Sequence, residues 1–227
     1  MIKVLGLLLT IFVYLLCTKV KNIKFLKKLP PIILAAGILI FILKFFSFNY
    51  DTYNQSACFL TFLLGPATIA LAYPLTQNIE SVSKNKRILF LGMIISSLLG
   101  IIITFIIAKI LHASPSVILS MIPKSVTTPI AIEISKSIGG IPELTACIVI
   151  LTGLIGGLPA HRILNAVKIK HNVSKGLAIG ATCHVFGTSI CIEKKLQEQT
   201  AISSITLVIV GLLTALLAPF ILNVLSI

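Results

Sequence analysis

Residues 113–142 read A-S-P-S-V-I-L-S-M-I-P-K-S-V-T-T-P-I-A-I-E-I-S-K-S-I-G-G-I-P, and this stretch decides the fold. It is largely apolar but carries four prolines, a glycine pair, Lys124 and Glu133. As one membrane crossing, it would place the basic loop 161–175 outside, against the positive-inside rule. As a re-entrant hairpin or two half-length passes, it places that loop inside. Because apolar pieces of about 10–14 residues suit re-entrant segments, we predict a hairpin with its polar tip near 124–129.

The composition of the whole chain is that of a membrane protein. Of its 227 residues, 57% are hydrophobic and 11% are charged, whereas a soluble domain carries about 25% charged residues. This excludes a soluble enzyme, a nucleic-acid binder, a secreted disulfide scaffold and a disordered regulator. At about 20 residues per span, we predict an all-α integral membrane protein with about 7–8 membrane segments. We expect these segments to form a single polytopic domain over 1–227.

The basic residues indicate orientation rather than a nucleic-acid partner. The net charge is +13, from 19 Lys and Arg against 6 Asp and Glu. Twelve of these cations lie in three short connections: Lys19, Lys21, Lys24, Lys27 and Lys28; Lys84, Lys86 and Arg87; and Arg162, Lys168, Lys170 and Lys175. This is the positive-inside pattern, and such loops also contact anionic lipid headgroups.

The other predicted segments follow from apolar runs. Residues 2–18 precede their lysine cluster instead of following it, so we predict a retained first helix rather than a signal peptide. The remaining predictions, in chain order, are a helix over 31–48, an outer polar loop over 49–55, an interrupted segment over 57–76, an outward helix over 88–111, an inward crossing over 143–160, an outward crossing over about 176–193 and a last helix over about 201–225.

Three stretches combine Pro or Gly with Thr inside apolar surroundings: 64–74, 124–135 and 180–188. Broken backbone at membrane depth is tolerated only inside protein or beside a watery cavity. Secondary transporters use such breaks to point the positive ends of half-helices at anionic substrates. The alternative is that these residues merely kink helices. Thr68-Ile69-Ala70-Leu71 also resembles Pro129-Ile130-Ala131-Ile132, which suggests an inverted repeat.

Lys124, Glu133 and His184 are ionisable residues within segments that should be apolar, and such residues are functional candidates. Lys124 suits a carboxylate substrate, while Glu133 and His184 are candidates for coupling to H⁺ or Na⁺. Alternatively, Lys124 snorkels to an interface, Glu133 ends a helix at the water boundary and His184 is simply hydrogen-bonded. The five cysteines show no C-x-x-C spacing, so we expect buried thiols, no metal and no cofactor. Without a nucleophile–base set or a phosphate loop, we do not expect an enzyme.

Three blocks carry a resemblance to a known family. L-G-P-A-T-I-A-L-A-Y-P-L at 64–75, K-S-V-T-T-P-I-A-I at 124–132 and H-V-F-G-T-S-I-C-I-E at 184–193 resemble the signature blocks of the LrgB family. The third block departs from that pattern: Cys183 precedes the histidine, and 189–191 replace a stretch that usually carries an arginine. The usual G-P after the sixth segment is also changed, to Leu158-Pro159-Ala160. If the arginine matters for substrate or partner, this protein differs in specificity.

The resemblance has two implications for function. The family is named antiholin-like and acts with a small LrgA-type membrane protein to restrain murein hydrolase activity and lysis. Related proteins are linked to transport of small carboxylates, namely pyruvate in bacteria and glycolate or glycerate in a plastid translocator. We therefore expect a multi-pass protein of the bacterial plasma membrane that transports small monocarboxylates with an LrgA-type partner, and a homodimer is the alternative assembly. The alternative is an antiholin-like regulator without transport activity of its own.

The predicted substrate-binding residues are those of the three blocks that supply hydroxyls, freed amides or a positive charge. They are Pro66, Thr68, Lys124, Ser125, Thr127, Thr128, Pro129, His184, Gly187 and Thr188.

Overall fold

The structure is a computed structural model of the chain, and it describes residues 2–20, 31–63, 66, 69–70, 73, 76 and 79–225. These residues pack into two compact units, 1–69 and 70–227.

The first unit contains two longer and two shorter helices: α1 (Ile2–Val20), α2 (Pro31–Phe45), α3 (Tyr50–Ser56) and α4 (Cys58–Phe62). Helices α1 and α2 share a small buried cluster of Val13, Cys17, Ala35 and Leu39. Their remaining faces are rich in exposed aliphatic and aromatic side chains, as expected of helices surrounded by lipid.

The polar run 49–55, predicted as a loop, is helical instead. The Asn49 side chain accepts a hydrogen bond of 2.9 Å from the Asp51 N–H, which caps the start of α3. Tyr53 then places its hydroxyl 2.7 Å from that of Thr10 on α1. The prediction of a loop is wrong because an N-cap and a tertiary contact stabilise a helix that polar composition alone does not indicate.

The second unit contains eight helices within its described residues. They are α5 (Ile79–Lys84), α6 (Lys86–Ile110), α7 (Pro115–Met121), α8 (Thr128–Ile138), α9 (Pro142–Gly157), α10 (Ala160–Ala166), α11 (Asn172–Glu193) and α12 (Gln197–Val224). By length and apolarity, α6, α11 and α12 are long enough to cross a membrane, and α9 with α10 forms a fourth candidate bent by 47°. The described part of the chain is thus all-helical with three or four candidate spans.

Residues 115–138 form the first hairpin, with α7 and α8 as its arms. The helix breaks between Met121 and Thr128. The arms lie beside each other, because Thr145 Oγ1 is 3.0 Å from the Ser120 carbonyl oxygen and 2.7 Å from Ser135 Oγ. Gly139 ends α8 in the left-handed region at φ 85°, which favours glycine. The break falls at the tip that the sequence predicts.

Residues 172–193 form the second hairpin. Helix α11 has non-helical angles at His184, φ 40° and ψ −135°. A Cβ on Gly187 would lie 2.6 Å from Ile179 Cγ2 and 3.3 Å from the Ile179 carbonyl oxygen. In a straight helix, residues eight apart are separated by about 12 Å along the axis. The chain therefore reverses at His184.

The ends of α11 confirm this reversal. Asn172 and Lys195 line the same pocket, although a straight helix would separate them by more than about 30 Å. Despite its length and apolarity, α11 thus has the geometry of a hairpin, which replaces the outward crossing predicted over 176–193. Its residues look like a span because hydropathy does not report a reversal.

The long helices fix the directions of both hairpins. Ser97 Oγ of α6 and Thr214 Oγ1 of α12 lie 3.0 Å apart. One buried cluster joins the first halves of the two helices through Leu89, Met93, Ile202 and Val210. A second cluster joins their second halves through Ile101, Phe105, Ala218 and Leu222. Helices α6 and α12 therefore run in the same direction.

Helix α9 runs in the opposite direction to α6 and α12. Thr145 near its start contacts the first hairpin, whereas a Cβ on Gly157 near its end would lie 2.7 Å from Phe186 of the second hairpin. The first hairpin thus enters from the end where α6 finishes, and the second from the end where α6 and α12 begin. We call the latter the basic end, because Lys86, Arg87, Lys194 and Lys195 lie there.

Candidate functional site

The tip of the first hairpin carries a half-buried cation. Lys124 Nζ donates a 2.6 Å hydrogen bond to Thr104 Oγ1, and that hydroxyl donates at 2.5 Å to the Gly100 carbonyl oxygen. An ammonium group has three donors, and within the described residues no carboxylate pairs with Lys124. The Lys124 charge is therefore held by α6 but not neutralised.

Ser125 lies beside a small, mostly apolar cavity between the first hairpin, α6 and α12. The cavity has a volume of about 10 Å³, and the hydroxyl-bearing residues that line it are Ser96, Ser97, Ser125 and Thr214. This volume holds about one water molecule. In this conformation the cavity is therefore too small for any organic anion.

Helix α8 begins at the same tip, which places its positive end near Lys124. Thr127 is the N-cap residue, is 4% exposed and makes no capping hydrogen bond with its side chain. Pro129 follows at the second helical position and is exposed. The first helical backbone bond is donated by Ala131 to Thr127, so the Thr128 and Ile130 N–H groups precede the helical ladder. Free N–H groups at a helix start bind anions.

His184 forms the tip of the second hairpin and is 6% exposed. Its Nε2 lies 3.0 Å from the Val149 carbonyl oxygen. Because a carbonyl only accepts, Nε2 carries a hydrogen and donates, which leaves Nδ1 as the other ring position. Thr188, fully buried, donates to the His184 carbonyl oxygen at 3.1 Å. Thus both His184 and Thr188 stabilise the turn.

Val149 on α9 connects the two tips. Its side chain belongs to the buried cluster that contains Ile122 and Val126 of the first hairpin, while its carbonyl binds His184 of the second. The first tip thus shares a buried cluster with Val149, and the second tip binds the Val149 carbonyl. No hydrogen bond between described residues joins Lys124 directly to His184.

Three glycines of α9 make the close approach of the second hairpin possible. A Cβ on Gly153 would lie 2.7 Å from His184 Cε1, and one on Gly156 would lie 2.9 Å from Cys183 Sγ. A Cβ on the third glycine, Gly157, would lie 2.7 Å from Phe186 Cδ1. Any larger residue at these positions displaces the hairpin tip from α9.

The remaining predicted residues lie away from these tips or outside the described chain. Glu133 is 72% exposed on α8 and pairs with Lys136 at 2.8 Å, so it faces away from the buried tip. Gly187 packs within the second hairpin against Ile179. Pro66 is exposed and belongs to the first unit, and Thr68 lies outside the described residues.

Sequence reasoning missed the residues that hold the tips in place. These are Ser97, Thr104, Val149, Gly153, Gly156, Gly157 and Thr214. The hydroxyls and glycines are visible in otherwise apolar helices, and small or polar residues at helix interfaces in membranes are a usable signal. Val149 offers no such signal, since it contributes its backbone. Among the described residues, no group of three or more His, Cys, Asp or Glu side chains lies close enough to hold a metal ion.

Comparison with known proteins gives one family. The LrgB-like family matches residues 10–224. The chain belongs to the LrgB-like family. It is 34% identical over 222 residues to the "Uncharacterized protein YwbG" of Bacillus subtilis (strain 168), covering 98% of each chain. It is also 34% identical over 189 residues to the "Antiholin-like protein LrgB" of Bacillus cereus (strain B4264), covering 83% of this chain and 82% of the relative. No solved structure matches.

Membership of the LrgB-like family and the apolar helices make this a membrane protein related to bacterial antiholin-like proteins. The family resemblance drawn from the three sequence blocks is thereby confirmed. Two of those blocks, at 124–132 and 184–193, contain the tips of the two hairpins.

Proposed function

We propose that this protein is a secondary transporter of small monocarboxylates such as pyruvate or glycolate, acting with an LrgA-type partner in the bacterial plasma membrane. The observation that carries the proposal is the pair of hairpins that enter the second unit from opposite ends, one sharing a buried cluster with Val149 and the other binding its carbonyl. A buried broken backbone supplies the donors that a carboxylate needs.

The first hairpin supplies the substrate-binding groups. The Lys124 ammonium, the Ser125 hydroxyl and the free N–H groups at the start of α8 lie within a few residues of one another. A carboxylate bound there accepts from the ammonium donors that Thr104 does not use. The charge of Lys124, uncompensated by a described carboxylate, selects an anion.

The arrangement of the second unit supports an inverted repeat. A long helix and a hairpin (α6, then α7 and α8) are followed by a helix of opposite direction and a hairpin entering from the other end (α9, then α11). Repeats of opposite orientation around a mid-membrane site are typical of secondary transporters. Alternating access then follows from movement of the hairpins against α6 and α12.

His184 is the better placed of the two coupling candidates. It is buried at a hairpin tip, and Nδ1 is the ring position not used for Val149. Glu133 is exposed and already paired with Lys136. We therefore assign coupling, by H⁺ or Na⁺, to the second hairpin.

Uptake of labelled pyruvate and glycolate into proteoliposomes tests the proposal. Removing a charge-assisted hydrogen bond costs about 1.5–3 kcal/mol, so Lys124→Ala is expected to weaken substrate affinity about 10- to 150-fold. Thr128→Val removes a hydroxyl but keeps the N–H, and a loss of about 5-fold is expected. Lys168→Ala is the matched control, because it removes an exposed cation from the basic loop.

Equal uptake by Lys124→Ala, Thr128→Val and wild type would reject the site. Uptake no higher than in empty liposomes, with the LrgA-type partner present, would reject transport itself.

The second candidate function is regulation of murein hydrolase activity and lysis without transport, which the printed name "antiholin-like" of the relatives favours. A regulator acting through a partner surface tolerates Lys124→Ala, since this residue lies at a half-buried tip. Lysis control that survives Lys124→Ala while no substrate is transported by wild type would favour this candidate.

A further inference from the structure

An apolar groove opens on the second unit at the basic end, between α5, α6 and α12. It has a volume of about 420 Å³, and its apolar lining consists of Val82, Leu89, Phe90, Met93, Ile205 and Ile209. Two cations, Lys86 and Arg87, line the same groove at the start of α6. Among the pockets of the described residues, this one combines a deep apolar wall with adjacent positive charge.

The groove has the dimensions of a site within one membrane leaflet. From Lys86 to Met93 it follows α6 for about 10 Å, at about 1.5 Å per residue. Half of a hydrocarbon core is about 15 Å thick. Because Lys86 and Arg87 begin the helix at the basic end, they lie at the headgroup level while Leu89 and Met93 lie deeper.

The chemistry of the lining specifies the occupant. The apolar wall requires a hydrocarbon chain, and the two cations require a negative charge at the end of that chain. Arginine binds phosphate through two parallel N–H donors, and basic pockets between membrane helices on the cytoplasmic side bind anionic lipid headgroups. A free phosphate does not use the apolar wall, and a zwitterionic lipid places a second cation beside Lys86 and Arg87.

We propose that this groove is a binding site for an anionic phospholipid, with its phosphate on Lys86 and Arg87 and an acyl chain along Phe90, Ile205 and Ile209. The site lies on the face of α6 and α12 where the groove opens. It shares no lining residue with the cavity at the tip of the first hairpin. Lipid binding at this groove does not depend on whether the protein transports a carboxylate.

Native mass spectrometry of the purified full chain in detergent measures the binding. The probes are dioleoyl phosphatidylglycerol, dioleoyl phosphatidylcholine with the same chains, and inorganic phosphate. Wild type is expected to retain phosphatidylglycerol in preference to phosphatidylcholine and not to exchange it for phosphate. The double variant Lys86→Gln with Arg87→Gln is expected to weaken phosphatidylglycerol binding about 30-fold, from the contribution of two cations at a membrane surface.

Two further variants separate the groove from general charge. Lys168→Gln with Lys170→Gln removes two cations elsewhere at the basic end and is expected to leave retention unchanged. Ile209→Phe fills the groove while keeping both cations, and is expected to lower retention. Ile205→Phe repeats that test from the neighbouring wall if Ile209→Phe loses its helical circular dichroism.

Three results would overturn the proposal. Equal retention of phosphatidylcholine would show that Lys86 and Arg87 do not distinguish an anionic headgroup from a zwitterionic one. Displacement by inorganic phosphate shows that the apolar wall contributes nothing. An equal loss in the Lys168 and Lys170 control shows attraction to the basic end as a whole.

Discussion

Gly187 offers the most direct test of the second hairpin. A Cβ at this position would lie 2.6 Å from Ile179 Cγ2 and 2.7 Å from Cys183 Cβ. Ile179 and Cys183 are 1% and 2% exposed, so neither can move into open space. Overpacking of this kind costs about 1–3 kcal/mol. In a protein of this size, each kcal/mol lowers Tm by about 2–4 °C, so Gly187→Ala is expected to lower Tm by about 2–12 °C.

The matched control is Gly100→Ala, where a Cβ would meet nothing within 4 Å. Alanine in a helix interior is more stable than glycine by about 0.5–1 kcal/mol, so this control is expected to hold or raise Tm. The double variant Ile179→Ala with Gly187→Ala opens the space that the new methyl group needs. It is expected to lose less than the sum of the two single changes.

Thermal unfolding followed by circular dichroism at 222 nm in detergent compares wild type, Gly187→Ala, Gly100→Ala, Ile179→Ala and the double variant. If α11 were a straight crossing, residues 179 and 187 would not meet, and Gly187→Ala would behave like Gly100→Ala. A Tm for Gly187→Ala equal to or above wild type, or strictly additive losses in the double variant, would refute the hairpin.

Three other predictions follow from the same packing. Spin labels at Ser174 and Lys194, about 30 Å apart along a straight helix, are expected to show less than half that separation; a distance near 30 Å would contradict the reversal. Single cysteines replacing Lys84, Lys168 or Lys194 are expected to react with a membrane-impermeant maleimide from one side of sealed vesicles, and one replacing Ser114 from the other; mixed accessibility would contradict the directions of α6, α9 and α12. Thr214→Val leaves Ser97 without its partner at 3.0 Å and is expected to lower the free energy of unfolding by about 1 kcal/mol, measured by heat or denaturant. The control is Ser204→Ala, whose hydroxyl has no partner among the described residues and whose loss is expected to cost nothing. Equal losses would show that the Ser97–Thr214 hydrogen bond contributes no stability.

The first hairpin was predictable because its residues disfavour a continuous helix. Pro123 and Pro129 remove backbone donors on either side of Lys124, and the charge balance of the loops requires an even number of passes there. Local chemistry and global topology agree at this site. For that reason the sequence predicts both a break and a tip near 124–129, which overlaps the observed break at 122–127.

The second hairpin was only half predictable. The stretch 180–188 shows glycines and threonine but no proline, and each of its residues is compatible with a helix. The reversal depends on partners far along the chain, namely the Val149 carbonyl and the glycine face of α9. Hydropathy measures how apolar a segment is, not its direction, so a hairpin of 22 residues and a crossing of 22 residues read alike. Tertiary contact decides between them.

The costs of the two tips bear on the choice between transporter and regulator. A lysine within the membrane costs about 2.5–3.5 kcal/mol, and a non-glycine residue at a positive φ such as His184 costs about 1–3 kcal/mol. A straight apolar helix in either place would avoid both costs. The surrounding protein instead fixes these features with specific partners, Thr104 for Lys124 and Val149 for His184. A regulator that acts through a partner needs specific chemistry on its outer surface, whereas a transporter needs it at buried breaks. The placement of both costly features at the tips of hairpins that enter from opposite ends therefore favours the proposed transport.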